Sequence, residues 1–370
     1  MYRRAFLGAA ASLAALSAEA QESRPVQVGA VQILSGPIAA PGISIRDGLV
    51  LALEDVNAGV GRKVALTVED SAGSKEQAIN VVRKLIGRDK VVAIIGPTLS
   101  EEMFAAGPIA NERKIPIIGT STTAVGITGI GPYVFRTSLP ESDVVPVTLA
   151  YAKAHGVKSI ALLYGNDSLF SKSGFDVMKA AAERIGLNIL AVESFASRDA
   201  DFSAQLTRIK ALHPNAIGIS AFPEPMTGVL LTARQLGFGK EALFIGGNSA
   251  NTPKVGEIAG SAADGLIVGS PWFVGKDDPV NQAFVAKFRA RYNKDPDQFS
   301  AQAYDCMHIL ATAMNKAGAA EPERIRDALL LTNYNGVMGP FTFTPGRDPA
   351  STEGVVVLAM QDGKFGIAPG

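Results

Sequence analysis

The sequence is poor in the residues that build disulfides and metal sites. Cys306 is the only cysteine among 370 residues, so no disulfide can form within the chain. It lies in a helical pattern, AQAYDCMHILATAM, and we expect it to be a small buried apolar side chain. The three histidines, His155, His213 and His308, have no partner at i, i+4 spacing with which to share a metal ion. The sequence therefore predicts neither a metal site nor a cofactor.

An excess of charge of one sign and long apolar runs are also missing. Lys and Arg together number 35, and so do Asp and Glu. A balanced chain lacks the basic surface that nucleic acid or an anionic membrane requires, so we expect no nucleic-acid partner. Beyond residue 20, no segment is apolar and long enough to span a bilayer. With 47% hydrophobic residues, the composition is that of a globular protein large enough for two domains.

The N-terminus has the pattern of a secretory signal peptide. Arg3 and Arg4 precede an uncharged, mostly apolar stretch, and residues 18–20, Ala-Glu-Ala, provide a cleavage site of the A-x-A type. We therefore predict a signal peptide over residues 1–20 and a periplasmic mature chain. The order Arg-Arg-x-Phe-Leu resembles a twin-arginine export signal. No cysteine stands directly after the apolar stretch, which argues against a lipid-anchored form.

Strand-like and helix-like segments alternate through the rest of the chain. One series runs from VQVGAVQI at residue 26 to IPIIG, and a second from KSIALLYG at residue 158 to ALFIGG. Strands joined by helices of ten or more residues form right-handed crossovers and hence parallel sheets. The two series therefore predict two α/β lobes with parallel central sheets. Short extended segments at 133–143, 264–272 and 338–348 indicate that the chain crosses between the lobes more than once.

The segment IIGPTLSEEM, residues 94–103, indicates where a ligand binds. A buried strand ends at a Gly-Pro turn, and we interpret Ser100 as the N-cap of the helix that follows. A helix N-terminus has unpaired N–H groups and a partial positive charge, so it also attracts carboxylates and phosphates. We interpret Glu101 and Glu102 as favourable acids of the first helical turn, although they disfavour a nearby anion unless their side chains turn outward. Ligands of open α/β sheets bind at this edge, so two facing lobes would enclose one site.

Candidate enzyme motifs are incomplete. GNSAN lacks the second glycine of a nucleophile elbow, so we interpret Ser249 as a loop residue or a helix cap. GITGIG has the wrong spacing for a dinucleotide-binding fingerprint. Acids such as Asp70, Asp167 and Asp264 are interpreted as caps of helices or turns. No catalytic residue is predicted, and the sequence favours a binding protein over an enzyme.

A set of motifs along nearly the whole chain resembles one family. It includes ILSGPIAAPG, DVNAGVGRKVALTVEDSAG, IIGPTLS, IPIIGTSTT, FRTSLP, YGNDSLFSKSG, TARQLGF, FIGGNSAN and GPFTF. These motifs, from about Val26 to about Met360, are similar to those of type I solute-binding proteins of ABC importers, of the leucine/isoleucine/valine-binding kind. The resemblance implies two Rossmann-like lobes, joined by a three-segment hinge, that close on a ligand.

The resemblance also implies boundaries and partners. The first lobe would contain residues 26–137 and 270–338, and the second lobe residues 138–269 and 339–368. The implied partners are a small-molecule ligand, either an amino acid or another carboxylate, and the membrane permease of an ABC transporter. The chain is expected to act as a monomer.

The pocket of the family maps onto residues of both lobes. By resemblance, the ligand carboxylate meets Ser100 and the main-chain amides at the start of its helix, while Ser121 and Thr123 form a second clamp. We therefore expect Ser100 to contact the ligand rather than only to cap its helix. Phe170 corresponds to an aromatic side chain that closes over the ligand. The complete implied set is Thr98, Leu99, Ser100, Ser121, Thr122, Thr123, Phe170, Ala221, Phe222, Asn248 and Phe299.

Two positions depart from the pattern of the family. Asn248 stands where the family places the carboxylate that pairs with the ammonium group of the ligand, and an amide offers a buried charge only a dipole. Pro41 stands where leucine-type binders often carry an aromatic residue. The resemblance favours a branched-chain or other hydrophobic amino acid. An amine-free aromatic or aliphatic carboxylate, or an amide, is the alternative ligand, and a ligand-sensing receptor subunit is the alternative role.

Overall fold

The computed structural model describes residues 25–196, 198–239, 242–350 and 354–370. The predicted signal peptide, residues 1–20, lies outside these ranges. The strands are β1 Val26–Gln32, β2 Val64–Asp70, β3 Ala93–Ile95, β4 Ile117–Gly119, β5 Val134–Arg136, β6 Ser159–Gly165, β7 Asn188–Phe195, β8 Ala216–Ser220, β9 Leu243–Gly246, β10 Leu266–Ser270, β11 Tyr334–Gly336, β12 Gly339–Phe341, β13 Val356–Gln361 and β14 Lys364–Ile367. The helices are α1 Ala40–Ala58, α2 Lys75–Gly87, α3 Ser100–Glu112, α4 Glu141–Ala154, α5 Leu169–Arg184, α6 Ser203–Ala211, α7 Pro223–Gln235, α8 Pro253–Ala259, α9 Pro279–Tyr292, α10 Gln298–Ala317 and α11 Pro322–Leu330.

A five-stranded parallel sheet forms the centre of the first lobe. Its order is β2-β1-β3-β4-β5, and every described strand pair in it is parallel. Strands β3, β4 and β5 are buried along their whole length. Such strands carry continuous apolar runs instead of an alternating pattern, because helices cover both faces of the sheet. The prediction of a parallel sheet in this lobe is confirmed.

The second lobe contains a seven-stranded sheet of order β14-β13-β10-β9-β8-β6-β7. The strands of the second predicted series, β6 to β9, are parallel, as expected, and β10 continues the parallel pairing beside β9. Strands β13 and β14 extend this sheet antiparallel to β10 and to each other. The turn between them, Asp362-Gly363, has positive φ at both residues, 48° and 74°. Two residues of this kind favour a tight hairpin, so the chain end adds an antiparallel edge.

Helices α1, α10 and α11 pack on the sheet of the first lobe. Leu49 of α1 and Leu310 of α10 are fully buried in one apolar cluster with the strands of that sheet. Helices α1 and α10 approach so closely that a Cβ at Gly48 would overlap the main chain of Ser300. Cys306 of α10 is buried in the same cluster, as predicted. The C-terminal helices thus belong to the core of the first lobe.

The described chain crosses between the lobes after β5, after β10, and between β12 and β13. The third crossing lies later than the predicted boundary at residues 338 and 339. Phe343 packs against Phe135 of the first lobe, with ring centroids 5.2 Å apart, and Phe341 packs beside it. Burial of these two rings holds residues 339–343 on the first lobe, because aromatic side chains gain most from leaving water.

Two helices begin next to the space between the lobes. Helix α1 starts at Ala40, with Pro41 in its first turn, where a proline costs no hydrogen bond. Helix α5 starts at Leu169, because the Ser168 hydroxyl accepts a hydrogen bond from the Ser171 N–H at 3.3 Å. Both first turns bring residues toward the space between the lobes. Within the described ranges, no helix is both long and apolar enough to cross a membrane.

Candidate functional site

A cavity lies between the two lobes, and about 390 Å³ of space belongs to it when the solvent at its mouth is counted. The first lobe contributes the turn after β3 and the start of α10, and the second lobe contributes the starts of α5 and α7. The lining residues are Ile38, Pro41, Thr98, Leu99, Ser100, Ser121, Phe170, Phe222, Pro223, Ser249 and Phe299.

Aromatic and aliphatic side chains from both lobes form the apolar part of the cavity. The rings of Phe170 and Phe222 lie 5.1 Å apart, at 31° to each other. Both belong to one apolar cluster with Ile33 and Leu99 of the first lobe. The two lobes therefore share a small hydrophobic core at the cavity, which favours an apolar group between them.

Ser100 forms part of the polar end of the cavity. It is the first residue of α3 and not its N-cap, so the predicted capping role is wrong. Leu99 occupies the N-cap position, where its N–H donates to Oε2 of Glu102 at 3.2 Å. The side chain of Glu102 thus replaces a serine cap by reaching back to the helix start. The Ser100 Oγ instead accepts from the Ala124 N–H at 3.3 Å.

The side chains of the two acids after Ser100 are not turned outward into solvent. Glu102 is fully buried, and burial raises its pKa to about 7. Burial likewise raises the pKa of Glu101, which accepts a hydrogen bond from the Ser168 Oγ at 3.4 Å. Ser71 of the first lobe lies beside Glu102, and Ser168 of the second lobe lies beside Glu101. The local sequence shows neither contact.

Arg136 holds the loop that carries the second predicted clamp. Its Nη1 donates to the carbonyl oxygens of Thr122 at 3.2 Å and Ala124 at 2.8 Å. Its Nε pairs with Oδ1 of Asp348 at 2.5 Å. Arg136 is 4% exposed, so these bonds form in a region of low dielectric constant, where they are strong. The guanidinium group therefore fixes the path of residues 122–124.

The hydroxyl groups of that loop differ in whether they have hydrogen-bond partners. The Ser121 hydroxyl donates to the Thr98 carbonyl at 2.7 Å, which joins the loop to the turn after β3. The hydroxyls of Thr122 and Thr123 are buried and have no partner among the described residues. A buried hydroxyl without a partner costs free energy, and neither of these residues is in the cavity lining.

Asn248 lies beside the cavity, next to the lining residue Ser249. Its Nδ2 donates to the Leu139 carbonyl at 3.4 Å, while its Oδ1 has no partner in the described chain. The main-chain N–H of Asn248 donates to Oε2 of Glu141 at 3.3 Å. Glu141, which was not predicted, is thus a buried carboxyl group behind this end of the site, outside the cavity lining. Burial raises its pKa to about 7.

The structure brings most of the predicted residues together. Those that line the cavity are Thr98, Leu99, Ser100, Ser121, Phe170, Phe222 and Phe299. Thr122, Thr123, Ala221 and Asn248 are sequence neighbours of lining residues but are not in the lining itself. Contacts with a ligand stay a prediction for all of them. Lining residues that were not predicted are Ile38, Pro41, Pro223 and Ser249.

Two hydrogen bonds join the lobes at the rim of the cavity. One is the bond between Ser168 and Glu101, and in the other the Val125 N–H donates to the Ser173 Oγ at 3.0 Å. Both connect α5 or its cap with the first lobe. The described conformation therefore has its lobes in contact on the side of the cavity away from the hinge.

Comparisons with known proteins agree with this architecture. A sequence model of the periplasmic binding protein family matches residues 25–364. A leucine-, isoleucine-, valine-, threonine- and alanine-binding protein of Pseudomonas aeruginosa is 27% identical over 348 residues, which is 92% of each chain. A leucine binding protein of Thermotoga maritima has a TM-score of 0.86 at 27% identity, over 93% of this chain and 98% of that one.

A further solved structure is that of the branched-chain amino acid transporter substrate binding protein of Streptococcus pneumoniae, in complex with isoleucine. It has a TM-score of 0.84 at 26% identity, over 92% of this chain and 98% of that one. The similarity to each of these proteins extends over both lobes.

Proposed function

The chain belongs to the periplasmic binding protein family, and from this premise we propose that it is the solute-binding component of an ABC uptake system. In this proposal it captures a small carboxylate, namely a branched-chain or other hydrophobic amino acid, by closure of its two lobes. It acts in the periplasm, delivers its ligand to a membrane permease, and does not convert the ligand chemically.

The arrangement of the cavity carries the proposal. Ser100 and Ser121 lie at its polar end, beside the start of α3, where main-chain N–H groups and the helix dipole favour a carboxylate. The phenyl groups of Phe170, Phe222 and Phe299 offer an apolar surface to a hydrophobic side chain. No charged side chain is among the described lining residues, which suits a ligand with no net charge, such as a zwitterionic amino acid.

An amine-free carboxylate is the second candidate ligand, and Asn248 is the observation that favours it. An amide at this position provides no charge to balance a buried ammonium group.

The same cleft would serve a ligand-sensing receptor subunit. Uptake of labelled ligand by cells that lack the protein distinguishes transport from sensing. Uptake is lost if the protein is a transport component, and it persists if the protein is a sensor.

A ligand screen combined with solution scattering tests the proposal. We expect L-leucine, L-isoleucine or L-valine to raise the melting temperature, because a ligand that binds only the folded state stabilises it by mass action. The same ligand should reduce the radius of gyration as the lobes close, and chromatography should recover it unchanged. An unaltered scattering profile at saturating ligand, or a chemically converted ligand, would contradict the proposed mechanism.

Replacing Ser100 with alanine is expected to weaken ligand binding roughly ten- to a hundredfold, since a hydrogen bond to a charged group contributes about 1.5–3 kcal/mol. Binding should not be abolished, because the main-chain amides of α3 remain. Isothermal titration calorimetry measures the change. The matched control is Ser203→Ala, which alters the first residue of α6, far from the cavity lining. Equal affinities of the Ser100 variant and the wild type would show that the Ser100 side chain does not bind the ligand.

A further inference from the structure

Glu141, the first residue of α4, is a buried carboxyl group without a counter-charge in the described chain. It is 1% exposed. Its Oε1 has no hydrogen-bond partner among the described residues, and its Oε2 accepts from the main-chain N–H of Asn248. Oε1 lies against the main chain of Gly247, where a Cβ would be 3.3 Å away from it. Burial of a carboxylate is costly unless a cation or several donors compensate for it.

Further acceptor atoms lie around this carboxyl group. The Glu141 N–H donates to the Thr123 carbonyl at 3.4 Å, so the start of α4 contacts the loop that also carries Ser121 of the cavity lining. On its other side is Asn248, adjacent to the lining residue Ser249. The Asn248 Oδ1 and the Thr123 Oγ1 are buried without partners in the described chain. Carboxylate, amide and hydroxyl oxygens all accept hydrogen bonds, and an ammonium group donates three.

We propose that Glu141 holds the ammonium group of the ligand, and that the ligand is therefore an α-amino acid and not an amine-free carboxylate. This inference rests on the proposed function of the same cavity. The negative charge that Asn248 lacks is supplied by α4, while the Asn248 amide oxygen adds a dipole. The ligand carboxylate lies at Ser100 and Ser121, and the loop of residues 121–123 connects that end with Glu141.

Other occupants fit this group of atoms less well. An anion would face the Glu141 carboxylate in a region of low dielectric constant, where like charges repel strongly. A divalent metal ion requires several anionic ligands, and in the described ranges no three His, Cys, Asp or Glu side chains converge on one point. A protonated Glu141 would donate a hydrogen bond to an amine-free carboxylate. That arrangement has the opposite pH dependence and can be distinguished by experiment.

Few other charges act on Glu141. Strands β10 and β13 and residues 248–250, which pack against α4, contain no titratable side chain. On α5, Lys172 and Asp176 are exposed, and on α4 itself Asp143 interacts with Arg136. Glu102, at the other end of the site, also titrates near neutral pH. A change in pH dependence that Glu141→Gln abolishes is therefore assigned to Glu141.

The experiment compares ligands that differ only in the amine. Calorimetry at pH 6, 7 and 8 measures L-leucine against 4-methylpentanoate, L-isoleucine against 3-methylpentanoate, and L-valine against 3-methylbutanoate. The proteins are the wild type, Glu141→Gln, Asn248→Glu, and the double variant that carries both changes. Asp143→Asn, two residues further along α4, is the control. Circular dichroism verifies that each variant is folded.

We expect the wild type to bind at least one of the amino acids and to discriminate against its amine-free partner. Affinity for that amino acid should rise between pH 6 and pH 8, as the carboxylate forms. Glu141→Gln should reduce the affinity at least about thirtyfold and abolish the pH dependence, whereas Asp143→Asn should change neither. The double variant should recover at least about tenfold of the loss, because it returns the charge at position 248. A merely structural role of Glu141 predicts no such rescue.

Two results overturn the inference while leaving the proposed function intact. One is equal binding of an amino acid and its amine-free partner by the wild type. The other is an unchanged affinity of Glu141→Gln for the amino acid. If Glu141→Gln does not fold, the comparison of paired ligands and the pH profile of the wild type still test the inference. If the wild type binds no ligand of either class, both the inference and the proposed ligand are wrong.

Discussion

Replacing Arg136 with methionine is expected to destabilise the protein by about 2–5 kcal/mol, because each buried carbonyl oxygen left without a donor costs about 1–3 kcal/mol. The change leaves the Thr122 and Ala124 carbonyls without their donor and Asp348 without its partner. Because these bonds fix residues 122–124, the variant should also lose much of its ligand affinity. Urea denaturation monitored by circular dichroism gives the free energy of unfolding, and calorimetry gives the affinity.

Arg208→Met provides a matched control for this prediction. Arg208 pairs with Glu193 at 2.7 Å, a distance similar to that of the buried pair, but its side chain is 57% exposed. Exposed pairs contribute about 0–1 kcal/mol, so this variant should unfold almost like the wild type. Similar decreases in the free energy of unfolding of both variants would show that burial of Arg136 does not determine its contribution to stability.

The free energy of unfolding is expected to fall as the pH rises from 5 to 8. The lowered pKa of His308 opposes this trend, but burial raises the pKa of three acids: Glu102 and Glu141 from 4.5 to about 7, and Asp305 from 3.8 to about 6. Between these values the folded protein retains protons that the unfolded chain has released, so the folded state loses stability with increasing pH. Each group contributes up to about 3 kcal/mol to this loss. Acids with a lowered pKa, such as Asp55 and Asp70, act below their ordinary value of 3.8 and therefore outside this window.

Urea denaturation at pH 5, 6, 7 and 8 measures this dependence. Glu102→Gln removes one of these titrations, so its stability should fall less over the same range and exceed that of the wild type at pH 8. Glu76→Gln is the control, because Glu76 is an exposed acid in the first turn of α2. A wild-type stability that stays constant or increases from pH 5 to pH 8 would contradict the prediction.

The general architecture could be predicted because parallel strands that are buried on both faces have continuous apolar sequences. Runs such as VVAII before Gly96 and the helices between them are local features, and local features specify βαβ units. The antiparallel edge was missed, although its signal is also local. Asp362-Gly363 lies between two short apolar runs, which is a typical hairpin sequence. The turn was not predicted, because a hairpin has no connecting helix and therefore falls outside the alternation of strands and helices.

The site was predicted less completely, because burial of a charged side chain depends on distant segments. Glu141 follows Pro140 at a helix start, a position where exposed acids are common. It is buried because Gly174 of α5 and Gly247 bring their main chains close to it. Glu102 is a similar case, at the start of α3. Nothing within a few residues of either acid distinguishes it from an acid on the surface.

The rim hydrogen bonds of Glu101 and Val125 with α5 have a consequence for how affinity and selectivity are set. These contacts join the lobes, but their residues do not line the cavity. They contribute to the population of closed molecules, and the observed affinity is the intrinsic affinity multiplied by the competent fraction. A substitution at Ser173 would thus scale the affinities for all solutes by one common factor. The rim can therefore adjust the concentration at which solute is captured, while the cavity independently determines which solute is preferred.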